Sequence, residues 1–126
     1  VYDNLAFVLK ATGWKDKNEI DRKIIQSLQE VGMKYQTHKM PHQLSGGEKQ
    51  RLAISRALIN SAELIIADEA TGNLDPDTSM EILQLIVNLQ KSHNASVLFA
   101  THDYTLIEKK YDVRVLKCEK GQIVEL

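Results

Sequence analysis

The sequence predicts an α/β domain built on a parallel sheet. Three observations predict it. Two short apolar runs, "LIIA" at 64–67 and "SVLFAT" at 96–101, each end abruptly in polar residues, as buried parallel strands do. A helical pattern lies between them, with Ile82, Ile86 and Leu89 on one face. A second helical pattern, "LAISRALINS", leads into the first run. Strands alternating with helices argue for a parallel layer whose functional groups gather at the carboxyl ends of the strands.

Taken in order, residues 3–12 are mostly apolar and helix-compatible, closing at Gly13. Residues 17–31 carry Ile20, Ile24, Leu28 and Val31 at helical spacing, with Gly32 as a stop. The polar link 33–44 contains Pro41, which breaks any helix. A helix over 46–60 follows, opened by "LSGGEKQR" at 44–51. Ser45 and Glu48 have capping-box spacing, and such a cap is worth about 1 kcal/mol. Gly46 and Gly47 occupy the first turn, where helix propensity favours almost any other residue. Bare backbone at a helix N-terminus offers free N–H donors to an anion such as a phosphate. The same residues also fit a tight turn ahead of a capped helix.

Beyond the first strand, "NLDPDTSM" reads as a helix start, with Asp75 as N-cap and Pro76 at the first helical position. That helix runs to about Ser92. The second strand ends in "THD", a short helix covers 103–110, and "DVRVLKC" pairs with "QIVEL" as a hairpin around Glu119, Lys120 and Gly121. In a parallel sheet Asp68 and Glu69 reach the same edge as His102, so two acids and a histidine converge where a ligand would sit.

Bulk properties narrow the function. The chain has 126 residues, 43% hydrophobic and 26% charged, which suits one soluble-type domain with a real core. A net charge of −1 gives no sign of a nucleic-acid surface or a polybasic membrane patch. No apolar run approaches the roughly 20 residues needed to span a bilayer. Cys118 is the only cysteine, which excludes an internal disulfide and a cysteine-based zinc site. The first methionine is Met33, so the chain is expected to be part of a longer protein.

Four motifs in register now carry a resemblance: "LSGGEKQRLAISRAL", "LIIADE", "TGNLD" and "ATHD". The chain resembles the nucleotide-binding domain of ABC-type ATPases. Within them it is most similar to the bacterial group containing the cell-division ATPase FtsE and the lipoprotein-releasing ATPase LolD. "VYDNLAFVLKATG" is similar to the opening of that group's helical subdomain. The resemblance implies a helical subdomain over 1–44, then the carboxyl-terminal part of a RecA-like P-loop NTPase core over 45–126. No G-x-x-x-x-G-K-[ST] occurs in the chain, so the Walker A half is absent and residues 1–126 alone are expected to be inactive.

The same resemblance implies ATP and Mg²⁺ as ligands and assigns roles. Glu69 would be the general base and His102 the contact to the γ-phosphate. Ser45, Gly46 and Gly47, with Gln50 one turn in, would face a nucleotide held by a second subunit. Gly72, Asn73, Leu74 and Asp75 would form the D-loop against that subunit, and Asp68 would hold Mg²⁺ through water. The implied partners are a second nucleotide-binding subunit, in a homodimer, and an integral membrane permease or FtsX-like protein. The implied place is cytoplasmic, peripheral on the inner face of the bacterial membrane, with no nucleic-acid partner. Two residues depart from the family pattern. Ala70 stands where proline is usual, and Ser55 replaces a common alanine, on an exposed or small-residue face. Two other readings are a non-catalytic half-domain that pairs with another protein, and half of an SMC-type DNA-repair ATPase. Residues 1–44 lack the sustained heptads that the latter requires.

Overall fold

A computed structural model of the chain describes the backbone of residues 1–126 and every side chain except that of residue 106. Helix α1 (Tyr2–Ala11) buries Leu5, Ala6 and Leu9, and α2 (Lys17–Glu30) buries Ile20, Ile24 and Leu28 on one stripe. The Asp16 carboxylate caps α2 by accepting from the Glu19 N–H. After a 3-10 turn at Pro41–Gln43 comes α3 (Gly46–Leu58). Its predicted capping box is present. The Glu48 N–H donates to Ser45 Oγ at 3.2 Å, and the Ser45 N–H donates to Glu48 Oε2 at 2.9 Å.

Strand β1 (Leu64–Asp68), helix α4 (Pro76–His93) and strand β2 (Ser96–Ala100) form a β-α-β unit. The two strands pair in parallel with Leu64 opposite Ser96 and Asp68 opposite Ala100. Asp75 caps α4 as predicted, with Pro76 at its first position. A short α5 (Thr105–Glu108) leads to an antiparallel hairpin of β3 (Leu116–Glu119) and β4 (Gln122–Glu125). The hairpin turns where the sequence placed it, but residues 112–115 stay outside the strand. One hydrophobic cluster runs from α1 and α2 through Leu52, Ile54 and Leu58 of α3 to Ile65 of β1 and Ile82, Ile86 and Leu89 of α4.

Two sequence expectations need refinement. The strands read as buried on both faces, yet β1 buries only Ile65 and Ala67. Leu64, Ile66 and Leu98 lie on the other face at 53%, 68% and 51% exposure, because no described element packs there. Of the two settings expected for Ser55, an exposed or a small-residue face, the structure shows the second, fully buried. Its hydroxyl meets Ser27 Oγ at 2.7 Å, so the two small polar side chains satisfy one another between α2 and α3. Among the described residues no helix is long and apolar enough to cross a membrane.

Candidate functional site

The parallel register delivers β1 and β2 to the same edge, and pairing continues one residue beyond β1. The Glu69 N–H donates to the Ala100 carbonyl at 2.9 Å. Glu69 then turns into the left-handed region with φ +48. A side chain there costs on the order of 1–3 kcal/mol and persists only where the surroundings hold it. The turn throws the carboxylate toward the end of β2. Glu69 Oε1 accepts from the His102 backbone N–H at 3.1 Å and from His102 Nδ1 at 2.8 Å. That hydrogen bond from His102 is the main reason the Glu69 carboxyl sits below its ordinary range. The same bond raises the His102 imidazole above its usual 6.5. Both groups face solvent, His102 at 80% side-chain exposure and Glu69 at 43%.

The segment after Glu69 folds back beneath it. The Gly72 N–H donates to the Glu69 carbonyl at 3.0 Å, and a Cβ at Gly72 would lie 3.1 Å from Glu69 Oε2. Asp75 closes the segment: Oδ1 accepts from the Thr78 N–H at 3.0 Å and Oδ2 from the Thr78 hydroxyl at 2.6 Å. The Thr78 hydroxyl holds the Asp75 carboxyl below its ordinary value.

Helix α3 runs its N-terminal end along this segment. A Cβ at Gly46 would lie 3.1 Å from Leu74 Cδ2, and one at Gly47 would lie 2.9 Å from Thr78 Cγ2. The glycines therefore have a reason within the chain itself: they let α3 approach 74–78 closely. Gln50, on the same face, donates from Nε2 to the Ala70 carbonyl at 2.5 Å.

The residues singled out from the sequence fall into two connected groups. Asp68, Glu69 and His102 share the strand edge. Ser45, Gly46, Gly47 and Gln50 lie along the 70–78 segment with Gly72, Leu74 and Asp75, while Asn73 is exposed without a hydrogen-bond partner among the described residues. Sequence reasoning missed Thr78 and the Ala70 carbonyl as the surfaces that meet α3. The available signal was the spacing of 46, 47 and 50, which puts all three on one helical face.

The Asp68 carboxylate stands at the end of β1, exposed, with no hydrogen-bond or ion-pair partner among the described residues. No group of three or more metal-ligating side chains is assembled among those residues either. A single unpaired carboxylate fits Mg²⁺, which keeps several waters and takes other oxygens from phosphates, and does not fit a metal that needs a protein cage.

Comparison with known proteins shows the family. Residues 1–72 match the ABC transporter family. The chain is 40% identical over 126 residues to the cell division ATP-binding protein FtsE of Streptococcus pneumoniae, covering 98% of this chain and 53% of that protein. It is 42% identical over 125 residues to the methionine import ATP-binding protein MetN 1 of Listeria monocytogenes, covering 99% of this chain and 36% of that one. The chain thus spans about half the length of the FtsE relative and about a third of MetN 1. Its fold matches cbiO1 from Clostridium perfringens, part of the ABC transporter complex cbiONQ, with TM-score 0.85 and 31% identity over 98% of this chain and 48% of that one. The α/β class with a parallel sheet is thereby an ABC ATPase fold, and the chain belongs to the ABC transporter family.

Proposed function

We propose that residues 1–126 form the signature-bearing part of an ATP-hydrolysing subunit. Residues 1–44 act as its helical subdomain and 45–126 as the carboxyl-terminal part of its RecA-like core. The observation that carries the reading is the meeting of Glu69 and His102 at one edge of the β1–β2 pair, beside the unpaired Asp68.

The chemistry follows from the side chains. Glu69 is ionised at neutral pH and takes the proton of the water that attacks the γ-phosphate. His102 spends Nδ1 on Glu69, which leaves Nε2 for the phosphate. Mg²⁺ held by Asp68 through water would neutralise phosphate charge. Ser45 Oγ accepts within the cap, so its own proton is free to donate. The backbone N–H groups of Gly46 and Gly47 begin α3 and have no partner among the described residues, so they can donate to the γ-phosphate of a nucleotide held by a second subunit. Gly72 to Asp75, with Leu74 packed beside Gly46, face the same subunit.

The proposed partners are that second nucleotide-binding subunit and an integral membrane protein, a permease or an FtsX-like protein, with the ATPase on the cytoplasmic face of a bacterial membrane. The test is Glu69→Gln in the full-length protein. ATP binding should survive while turnover falls on the order of 10²–10⁴-fold, the usual worth of a general base. Unchanged turnover would remove Glu69 from the role and the reading with it.

A further inference from the structure

We propose that Gln50 is a positioning residue for Glu69, acting through the carbonyl of Ala70; the proposal rests on the ATPase reading of Glu69 given above.

The geometry has three parts. First, Glu69 is held in a left-handed conformation that its side chain disfavours, at φ +48. Something must enforce that turn. The Ala100 carbonyl fixes the amide on its near side, and the Gly72 N–H fixes its own carbonyl. Second, the next peptide, which carries the Ala70 carbonyl, is held by Gln50 Nε2 at 2.5 Å. Among the described residues no other donor reaches that carbonyl. Two consecutive peptides are therefore clamped, one from within the loop and one from α3. Third, Gln50 sits on the α3 face that already abuts Leu74 and Thr78, so the anchor is backed by packing rather than by a free-swinging side chain.

The amide's chemistry ties Gln50 to the loop. Its nitrogen is engaged by a carbonyl, which can only accept, so the orientation of the amide follows from its partner. The oxygen and the second Nε2 N–H remain, and the combined variants below separate positioning from a nucleotide contact. Gln50 serves the base by keeping the Glu69 carboxylate aimed along the end of β2. Loss of the strap lets the 69–71 turn relax and leaves the nucleotide's own contacts untouched.

The test uses the full-length protein with Gln50→Glu, which keeps the shape and loses the donor, and Gln50→Ala. Each is measured for kcat and KM with Mg-ATP, alone and combined with Glu69→Gln. Affinity for a fluorescent ATP analogue in the Glu69→Gln background reports an intact site independently of turnover. The expected result is a kcat lowered about tenfold, of the size of one lost hydrogen bond, with KM within about twofold. In the Glu69→Gln background the second substitution should change kcat by less than about twofold, because the group it positions is gone. A weakened analogue affinity, or a full kcat loss that persists in that background, overturns the proposal in favour of a nucleotide contact. Unchanged kcat in both Gln50 variants overturns it in favour of a structural staple. Turnover retained in Glu69→Gln alone overturns the ATPase reading itself, which separates the two failures.

Discussion

Replacing Gly47 by alanine should destabilise this protein, although the same change in an ordinary helix stabilises. A glycine within a helix costs about 1 kcal/mol relative to alanine. Here the added Cβ would lie 2.9 Å from Thr78 Cγ2, about half an ångström inside ordinary contact. Thr78 cannot rotate away freely, because its hydroxyl is bound to Asp75 Oδ2 at 2.6 Å and completes the α4 cap. Overpacking of this kind costs about 1–3 kcal/mol. The propensity gain offsets part of that, which leaves a net loss of about 1 kcal/mol. Thr78→Ser removes the offending methyl and keeps the hydroxyl, so Gly47→Ala in that background should recover its normal helical benefit. The two changes should therefore couple by about 2 kcal/mol in a double-mutant cycle, the size of the overpacking cost. Denaturant unfolding of the four full-length variants, followed by circular dichroism, measures it. If Gly47→Ala stabilises equally in both backgrounds, the close approach of α3 to α4 does not constrain that glycine, and the explanation given for it is wrong.

Two further outcomes follow from the site. The Glu69 carboxyl is lowered and the His102 imidazole raised, so their contact holds fully between the two ordinary ranges. Below its ordinary range Glu69 progressively gains a proton and its share of the stabilisation is lost; as pH rises through the raised His102 value, the imidazolium's share is lost. His102 should accordingly titrate above its usual 6.5 by NMR and move back toward it in Glu69→Gln; a midpoint at or below 6.5 in the unsubstituted protein contradicts the pairing. Residues 1–126 alone, which contain no P-loop sequence, should show no measurable ATPase activity and very weak Mg-ATP binding by calorimetry; micromolar binding would mean that other residues of the chain grip the phosphates.

What the sequence made legible was local chemistry. Asp75 followed by Pro76 announced α4 because both residues act within one turn of where they stand. Ser45 and Glu48 announced α3 for the same reason. The meeting of Glu69 and His102 was also legible, since parallel strands must end at a common edge. The rest depended on what lies across space. Nothing near Gly47 in the chain reveals that Thr78 fills the space beside it. Ser55 fitted either an exposed or a small-residue face until Ser27, one helix away, supplied its partner. The apolar run of β1 gave its strand character but could not say that only one of its faces would find something to pack on.

That half-packed sheet has a consequence for how the chain behaves in concentrated solution. In a pair of strands each is an edge strand, and a free edge recruits other chains unless charge guards it. β1 is guarded at both ends, by Glu63 before it and by Asp68 and Glu69 at its close. β2 is not: Asn94 and Ala95 lead into it, and Thr101 follows, so "SVLFAT" is an uncharged six-residue window of high strand propensity without proline. Of the two strands β2 is the less guarded, and Leu98→Lys would put a charge on its exposed face.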